Sequence, residues 1–197
     1  MTHIENIPHI IDNGITHKNS VNSNSNYKAI GDNSLISTRA SYIMPNNDVL
    51  GEYIPFYLGV RTPMLYVIQK GYNGVTSVHP KNIVYCVSNI QKILDDDLDF
   101  VYTDGHATDN FTTYYQPEHI LHIQSQVDFD AVSATFWKDE TDLDLKRRKE
   151  AEFLIKQDLP YKSIIGFVTF DKVSKNKLLA FGIQENKVVV KPNFYFE

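Results

Sequence analysis

Two side chains in this chain carry the chemistry most worth explaining, Arg39 and Glu152. Glu152 follows four consecutive cations, Lys146 to Lys149, and two further residues, Glu150 and Ala151. It runs straight into Phe153, Leu154 and Ile155, which read as the start of a buried strand. A carboxylate where a charged segment enters the core is partly desolvated. Such a group suits general-base work or the stabilisation of a developing cation. A helix-to-strand junction whose glutamate pairs with Lys or Arg gives the same pattern. Arg39 follows the apolar Leu35 and Ile36 in a polar stretch. Its planar fork could clamp a pyrophosphate through two parallel hydrogen bonds, or it could be a plain surface cation.

Other candidates are weaker. The histidines at 3, 9, 17, 79, 106, 119 and 122 form no zinc motif, and the reading is of no metal. Asp95–Asp97 with Asp99 could hold a divalent cation, but fits a solvated helix end better. No phosphate-binding glycine loop or nucleophile elbow occurs. The Lys146–Lys149 run could meet phosphates, or simply be solvated. Tyr57, Arg61 and Met64 lie close together around a strand and the next helix.

The elements that must position these residues follow from pattern. Pro8 in a first turn and Gly14 as a stop frame a helix over Asn6–Asn13, and Thr62, Pro63 and Gly71 frame another. Ser20–Asn26 is a polar loop. Strands are expected at Tyr53–Leu58, with Pro55 marking an edge, and at Asn82–Val87 and Phe100–Thr103. Others are expected from Glu152, at Ile164–Phe170, at Lys187–Lys191 and at Asn193–Phe196. Asp104–Tyr115 reads as a functional loop and Lys172–Phe181 as a helix. Helices gather early and strands late, which predicts an α+β fold with a mixed or antiparallel sheet. At 197 residues and 42% hydrophobic content, one domain over residues 1–197 is expected. The net charge of −5 rules out a generally cationic nucleic-acid binder, so any such contact needs a local basic patch. The single Cys86 sits in an apolar run and reads as a core thiol. Neither a signal peptide nor a membrane span is evident, and the expectation is a cytoplasmic protein that does not enter a membrane.

Five ordered blocks resemble the DarT family of DNA ADP-ribosyltransferase toxins. They are THIENIPHIIDNGI (2–15), IGDNSLISTR (30–39), LGEYIPFYLGVRTPMLYVI (50–68), VYTDGHA (101–107) and KRRKEAEFLI (146–155), and the chain closes on NFYFE. The third block is the most specific. The resemblance implies an ADP-ribosyltransferase fold, a split sheet around an NAD cleft with flanking helices. It places Arg39 on the family's catalytic arginine and Glu152 on its catalytic glutamate. Thr2, His3, His9, His17, Arg39 and Tyr57 fall on or near positions that contact NAD+. Arg61, Met64, His106 and Lys146 fall where the family touches single-stranded DNA, and the adjoining Arg147 and Arg148 extend that basic anchor. The implied activity is transfer of ADP-ribose from NAD+ to thymine or guanine in single-stranded DNA. The implied partner is a DarG-type antitoxin whose macrodomain removes the modification, with the toxin itself a monomer.

The chemistry agrees with that implication. Breaking the nicotinamide–ribose bond develops positive charge at the ribose, which a carboxylate stabilises. Arg39 could hold NAD+, or polarise the acceptor base and help with its proton. A base inside a duplex cannot enter such a cleft. A weakly catalytic DNA-binding relative and a transferase acting on RNA or protein are the rival readings. There are departures from the family pattern: His9 replaces a small residue, and Gly105 stands where an arginine can occur. Only Met1 and Thr2 precede His3, where relatives carry a strand that lines the NAD cleft. The expectation is an upstream start, or weaker NAD binding.

Overall fold

The computed structural model describes residues 1–196. In chain order the strands are β1 (Thr2–His3), β2 (Tyr53–Tyr57), β3 (Ile83–Val87), β4 (Phe100–Thr103), β5 (Tyr114–Tyr115), β6 (Glu152–Lys156), β7 (Gly166–Thr169) and β8 (Val188–Val190). The helices are α1 (Ile7–Asn13), α2 (Asn33–Ser41), α3 (Pro63–Lys70), α4 (Ile90–Asp95), α5 (Ile123–Gln126), α6 (Phe129–Ser133), α7 (Leu145–Lys149) and α8 (Lys172–Ala180). The strands form two four-stranded sheets, ordered β1-β3-β7-β8 and β2-β6-β4-β5. The first is mixed, because β7 and β8 run parallel with α8 as their crossover. The second is wholly antiparallel. This is the split mixed and antiparallel α+β architecture expected from the sequence.

The strand β6 shows how the core is built. Its side chains alternate between two buried layers. Phe153 and Ile155 enter the main core with Ile7, Ile10 and Phe100. Leu154 enters a second cluster with Met44, Leu50, Tyr53 and Val101. Being covered on both faces, the strand reads as a continuous apolar run and not as an alternation. Glu152 has the parity of Leu154, so it joins that second layer. Tyr57 lies directly opposite it across the β2–β6 ladder.

Helix starts follow the expected capping chemistry. Thr62 accepts a hydrogen bond from the Leu65 amide, and Gly71 ends α3 in a left-handed turn at φ 72°. Asp32 caps α2 by accepting from the Ser34 and Leu35 amides. Pro55 lies on an edge strand, as its missing donor requires. Thr2 and His3 pair with Val84 and Ile83 as a two-residue edge strand.

Asn193–Phe196 departs from the strand expectation. Pro192–Phe194 is a 3-10 turn. The backbone of Phe196 bonds to the Gln69 side chain instead of a ladder, at 3.0 and 2.9 Å. Tyr195 is buried with its hydroxyl between the Ile83 and Val168 carbonyls, 3.0 Å from each. An aromatic-rich segment therefore serves as a plug. Among the described residues no helix is long and apolar enough to cross a membrane.

Candidate active site

Glu152 is 1% exposed, deeper than the core edge its sequence position implies. Its backbone amide donates to Thr103 Oγ1 at 3.0 Å, and that hydroxyl donates to the Gly105 carbonyl at 2.7 Å. The Ala107 amide donates to Glu152 Oε1 at 2.9 Å. The carboxylate is therefore fixed from two sides by the loop after β4. Arg39 reaches it from the last turn of α2, with Nη1 3.1 Å from Oε1 and Nη2 2.9 Å from Oε2. Glu152 pairs with an arginine, and that arginine is the other chemical candidate.

In the second of these contacts, Arg39 Nη2 and Glu152 Oε2 are buried and held to each other by charge, without an aligned hydrogen bond. Burial pulls the Arg39 guanidinium down, but the Glu152 carboxylate outweighs it and holds the group above its ordinary value. Arg39 stays a cation.

α2 buries none of its own side chains, so something else must locate Arg39. Gly51 does this. A Cβ there would lie 2.8 Å from Ala40 Cα, and its absence lets α2 seat directly on the turn before β2. Tyr57 completes the wall. Its phenol is raised well above its usual range by burial, then by Glu152 and Glu150. Tyr114 donates its hydroxyl to the Ala107 carbonyl and so braces the same loop.

His106 lies beside the pair. Burial lowers its pKa, with Glu152 opposing and Arg39 adding to the fall, so it is neutral at pH 7. With Lys146, Leu35, Phe111, Leu143 and Glu150 it lines a cavity of about 620 Å³. Glu150 is 6% exposed. Burial pushes its carboxyl up to about 7, Lys146 pulls it down and Glu152 raises it further. Glu150 went unnoticed in the sequence, although its place two residues before Glu152 was a usable signal. The roles of Thr103, Tyr114 and the Ala107 amide had no such signal.

Three of the four cations in the basic run before Glu152 are engaged within the protein. Arg147 donates to Asp104 at 2.8 Å and to Asp144 at 2.7 and 2.9 Å. Arg148 bonds to Asp128, Asp142 and Asp144. Lys149 is 1% exposed and donates to the Val132 and Ala134 carbonyls at 3.1 and 2.6 Å. Of the four, Lys146 alone is largely exposed, at 61% of its side chain, with Glu150 3.9 Å away. Arg147 explains the glycine at 105. A Cβ there would meet its guanidinium at 2.4 Å and its carbonyl at 3.0 Å.

The remaining sequence candidates lie elsewhere. Arg61 stacks over the Phe196 ring at 4.7 Å and lines a different cavity, of about 490 Å³, with Tyr66 and Tyr195. Met64 packs into that aromatic cluster. Thr2 accepts from Asn6, and His3 caps the turn after β1 by accepting from the Glu5 amide. His9 contacts Thr16 at 3.2 Å. The His17 amide donates to Asp158, and its ring lies 3.8 Å from the same carboxylate. These four gather around α1 and the loop that follows it, not on the Arg39–Glu152 pair. Among the described residues no three His, Cys, Asp or Glu side chains are grouped as a metal site requires.

The split sheet is the fold that the sequence resemblance implied, and the structure brings Arg39 and Glu152 together at its end. The family model described as "DarT: ssDNA thymidine ADP-ribosyltransferase" matches residues 1–196. The chain belongs to the DarT family. A DNA ADP-ribosyl transferase of Escherichia coli O127:H6 is 33% identical over 202 residues, covering 100% of this chain and 91% of that protein. The Thermus sp. 2.9 DarT, solved in complex with ADP-ribosylated single-stranded DNA, superimposes with a TM-score of 0.85 at 25% identity. That match covers 99% of this chain and 93% of the other, and the same Thermus protein has been solved with NAD+. A Thermosipho africanus protein, a fusion of DNA ADP-ribosyl transferase and DNA ADP-ribosyl glycohydrolase, is 29% identical over 199 residues. The whole of this chain aligns with 48% of that fusion. Family membership establishes the class, a DNA ADP-ribosyltransferase.

Proposed function

We propose that this DarT-family chain transfers one ADP-ribose from NAD+ to the thymine base of single-stranded DNA, as the toxin of a toxin–antitoxin pair. The observation that carries the reading is the Arg39–Glu152 ion pair, with the carboxylate 1% exposed and the two guanidinium nitrogens 3.1 and 2.9 Å from it. Those atoms fit the dinucleotide. The Arg39 cation suits a pyrophosphate, and the Glu152 carboxylate suits the positive charge that grows on the ribose as nicotinamide leaves. The printed family description names thymidine, which favours thymine over guanine as acceptor. The NAD+ complex of the Thermus relative supports the same donor here.

His106, Lys146 and the cavity they line would receive the DNA strand. Thr2, His3, His9, His17 and Tyr57 would frame the donor side. A DarG-type macrodomain is the partner that reverses the mark, a pairing supported by the Thermosipho fusion. We take the chain to work as a single-domain monomer in the cytoplasm. Incubation with labelled NAD+ and a panel of single-stranded oligonucleotides, followed by mass-spectrometric mapping, tests the reading. Labelled thymine supports it. Label on guanine, on RNA alone or on protein overturns the acceptor assignment, and no label at all overturns the activity.

A further inference from the structure

Two large apolar side chains that line the 620 Å³ cavity are held out in water. Phe111 is 84% exposed and Leu143 is 89% exposed. They come from separate segments, the loop after β4 and the loop before α7. Neither owes its exposure to slack backbone. The Phe111 amide donates to Asp109 at 2.9 Å. Thr112, next to it, donates its hydroxyl to the His106 carbonyl at 2.8 Å and accepts from Arg147 at 3.4 Å. Leu143 sits between Asp142, bonded to Arg148, and Asp144, bonded to Arg147 at 2.7 and 2.9 Å. One guanidinium, that of Arg147, thus ties both segments together and fixes the gap between them. Two apolar side chains braced in water forgo the gain of burial, and a flat apolar partner restores it.

The cavity adjoins the active pair without containing it. His106, in its wall, precedes Ala107, whose amide holds Glu152. Leu35, also in its wall, lies one turn before Arg39 on α2. A strand whose acceptor base lies on the pair therefore brings the next nucleotide to the cavity. The polar lining decides which part of that nucleotide enters. Asp109, Asp144 and Glu150 place three carboxyls there against Lys146 and Arg147, and Arg147 is already taken by Asp104 and Asp144. A phosphodiester inside would be repelled, whereas an uncharged base would not, and its N–H groups can donate to carboxyl oxygens. Lys146, with 61% of its side chain exposed, is left for the phosphate outside.

We infer that Phe111 and Leu143 form a clamp for the nucleobase next to the acceptor, the Phe111 ring stacking on one face and Leu143 packing on the other. The inference rests on the reading of single-stranded DNA as substrate and adds to it the residues that hold the flanking nucleotide. Every base offers a π face, so the clamp supplies affinity and register more than sequence choice. Fixing the neighbour also fixes the acceptor base over the pair.

The test is a double-mutant cycle on binding, read by fluorescence anisotropy. The probes are short single strands with one thymine, intact or with an abasic residue on one or the other side of it. No NAD+ is required. An abasic residue on one of the two sides should weaken binding to wild type about tenfold, and Phe111→Ala should weaken binding to the intact strand about tenfold. The two together should cost no more than either alone. Phe111→Trp should recover the affinity. The melting temperature should not move in either variant, since the side chain is exposed, and the salt slope of binding should be the same in all three proteins. Additive losses, or binding indifferent to Phe111, would overturn the clamp and leave the two side chains to a protein partner. Coupled binding without modification once NAD+ is supplied would overturn the transfer reading and leave the clamp standing. Modification without coupling would do the reverse, and no binding of any strand by wild type would overturn both.

Discussion

Two arginine–carboxylate assemblies meet on opposite sides of the loop after β4, and they are built to different ends. Arg147 and Arg148 are saturated, with four aspartates taking up their donors. Arg39 has one carboxylate, and one of the two contacts between them lacks hydrogen-bond alignment. Saturation is what a brace needs, since every satisfied donor fixes a neighbour. A pair that is less fully engaged leaves groups that a ligand can contact. The brace serves the pair. Arg147 fixes Asp104, its carbonyl accepts from the His106 amide at 3.0 Å, and the next amide, of Ala107, holds Glu152.

The sharpest break in this comparison is Glu152→Gln. It keeps an acceptor for Ala107 but removes the charge. Transfer should fall by at least ~10³-fold, about 4 kcal/mol, because the carboxylate acts on charge present only in the transition state. The melting temperature should fall too, because the Arg39 cation loses its charge partner, so transfer is compared on protein shown to be folded. Near wild-type transfer by folded protein would take Glu152 out of the chemistry.

Arg147→Met tests the brace. It strips Asp104 of an 11%-exposed partner, and breaking such a pair from one side costs about 3 kcal/mol. Chemical denaturation should show that loss. The salt slope of oligonucleotide binding should stay as it was. A slope reduced by about one would mean that Arg147 faces phosphate after all.

Glu150 offers a stability readout independent of transfer. Folded Glu150 keeps its proton to about pH 7, whereas an unfolded glutamate releases it near 4.5. Folded protein thus binds more protons between those values, and stability falls as pH rises through them. The full cost above pH 7 is about 3 kcal/mol. Glu150→Gln should therefore stabilise the protein at pH 8 and not at pH 4. Equal effects at both pH values would show that Glu150 is not held protonated by burial.

What the sequence made legible follows the range of the interactions. Capping at Thr62, the stop at Gly71, the edge role of Pro55 and the burial of Phe153–Ile155 are set by near neighbours, and all were readable. Resemblance supplied Arg39 and Glu152, 113 residues apart, which no local pattern could have joined. The fate of Lys146–Lys149 was not readable. Their partners Asp104, Asp128 and Asp142 sit in loops whose approach only the fold decides. The closing aromatic segment misled for a related reason. Strand-forming residues were claimed by the Gln69 side chain and two distant carbonyls.

The smallest effect separates the one open cation from its neighbours. Lys146 is mostly exposed, and its partner Glu150 lies at the limit of ion-pair distance. An exposed pair of that kind adds at most about 1 kcal/mol, so Lys146→Gln should leave denaturation midpoints nearly unchanged. If Lys146 meets a phosphate at the cavity mouth, its loss releases one counterion fewer on binding. The salt slope should then drop by about 0.7, the value for one contact to a single strand, with affinity several-fold weaker at low salt and converging at high salt. An unchanged slope would send the strand across another face and leave Lys146 a solvated partner of Glu150.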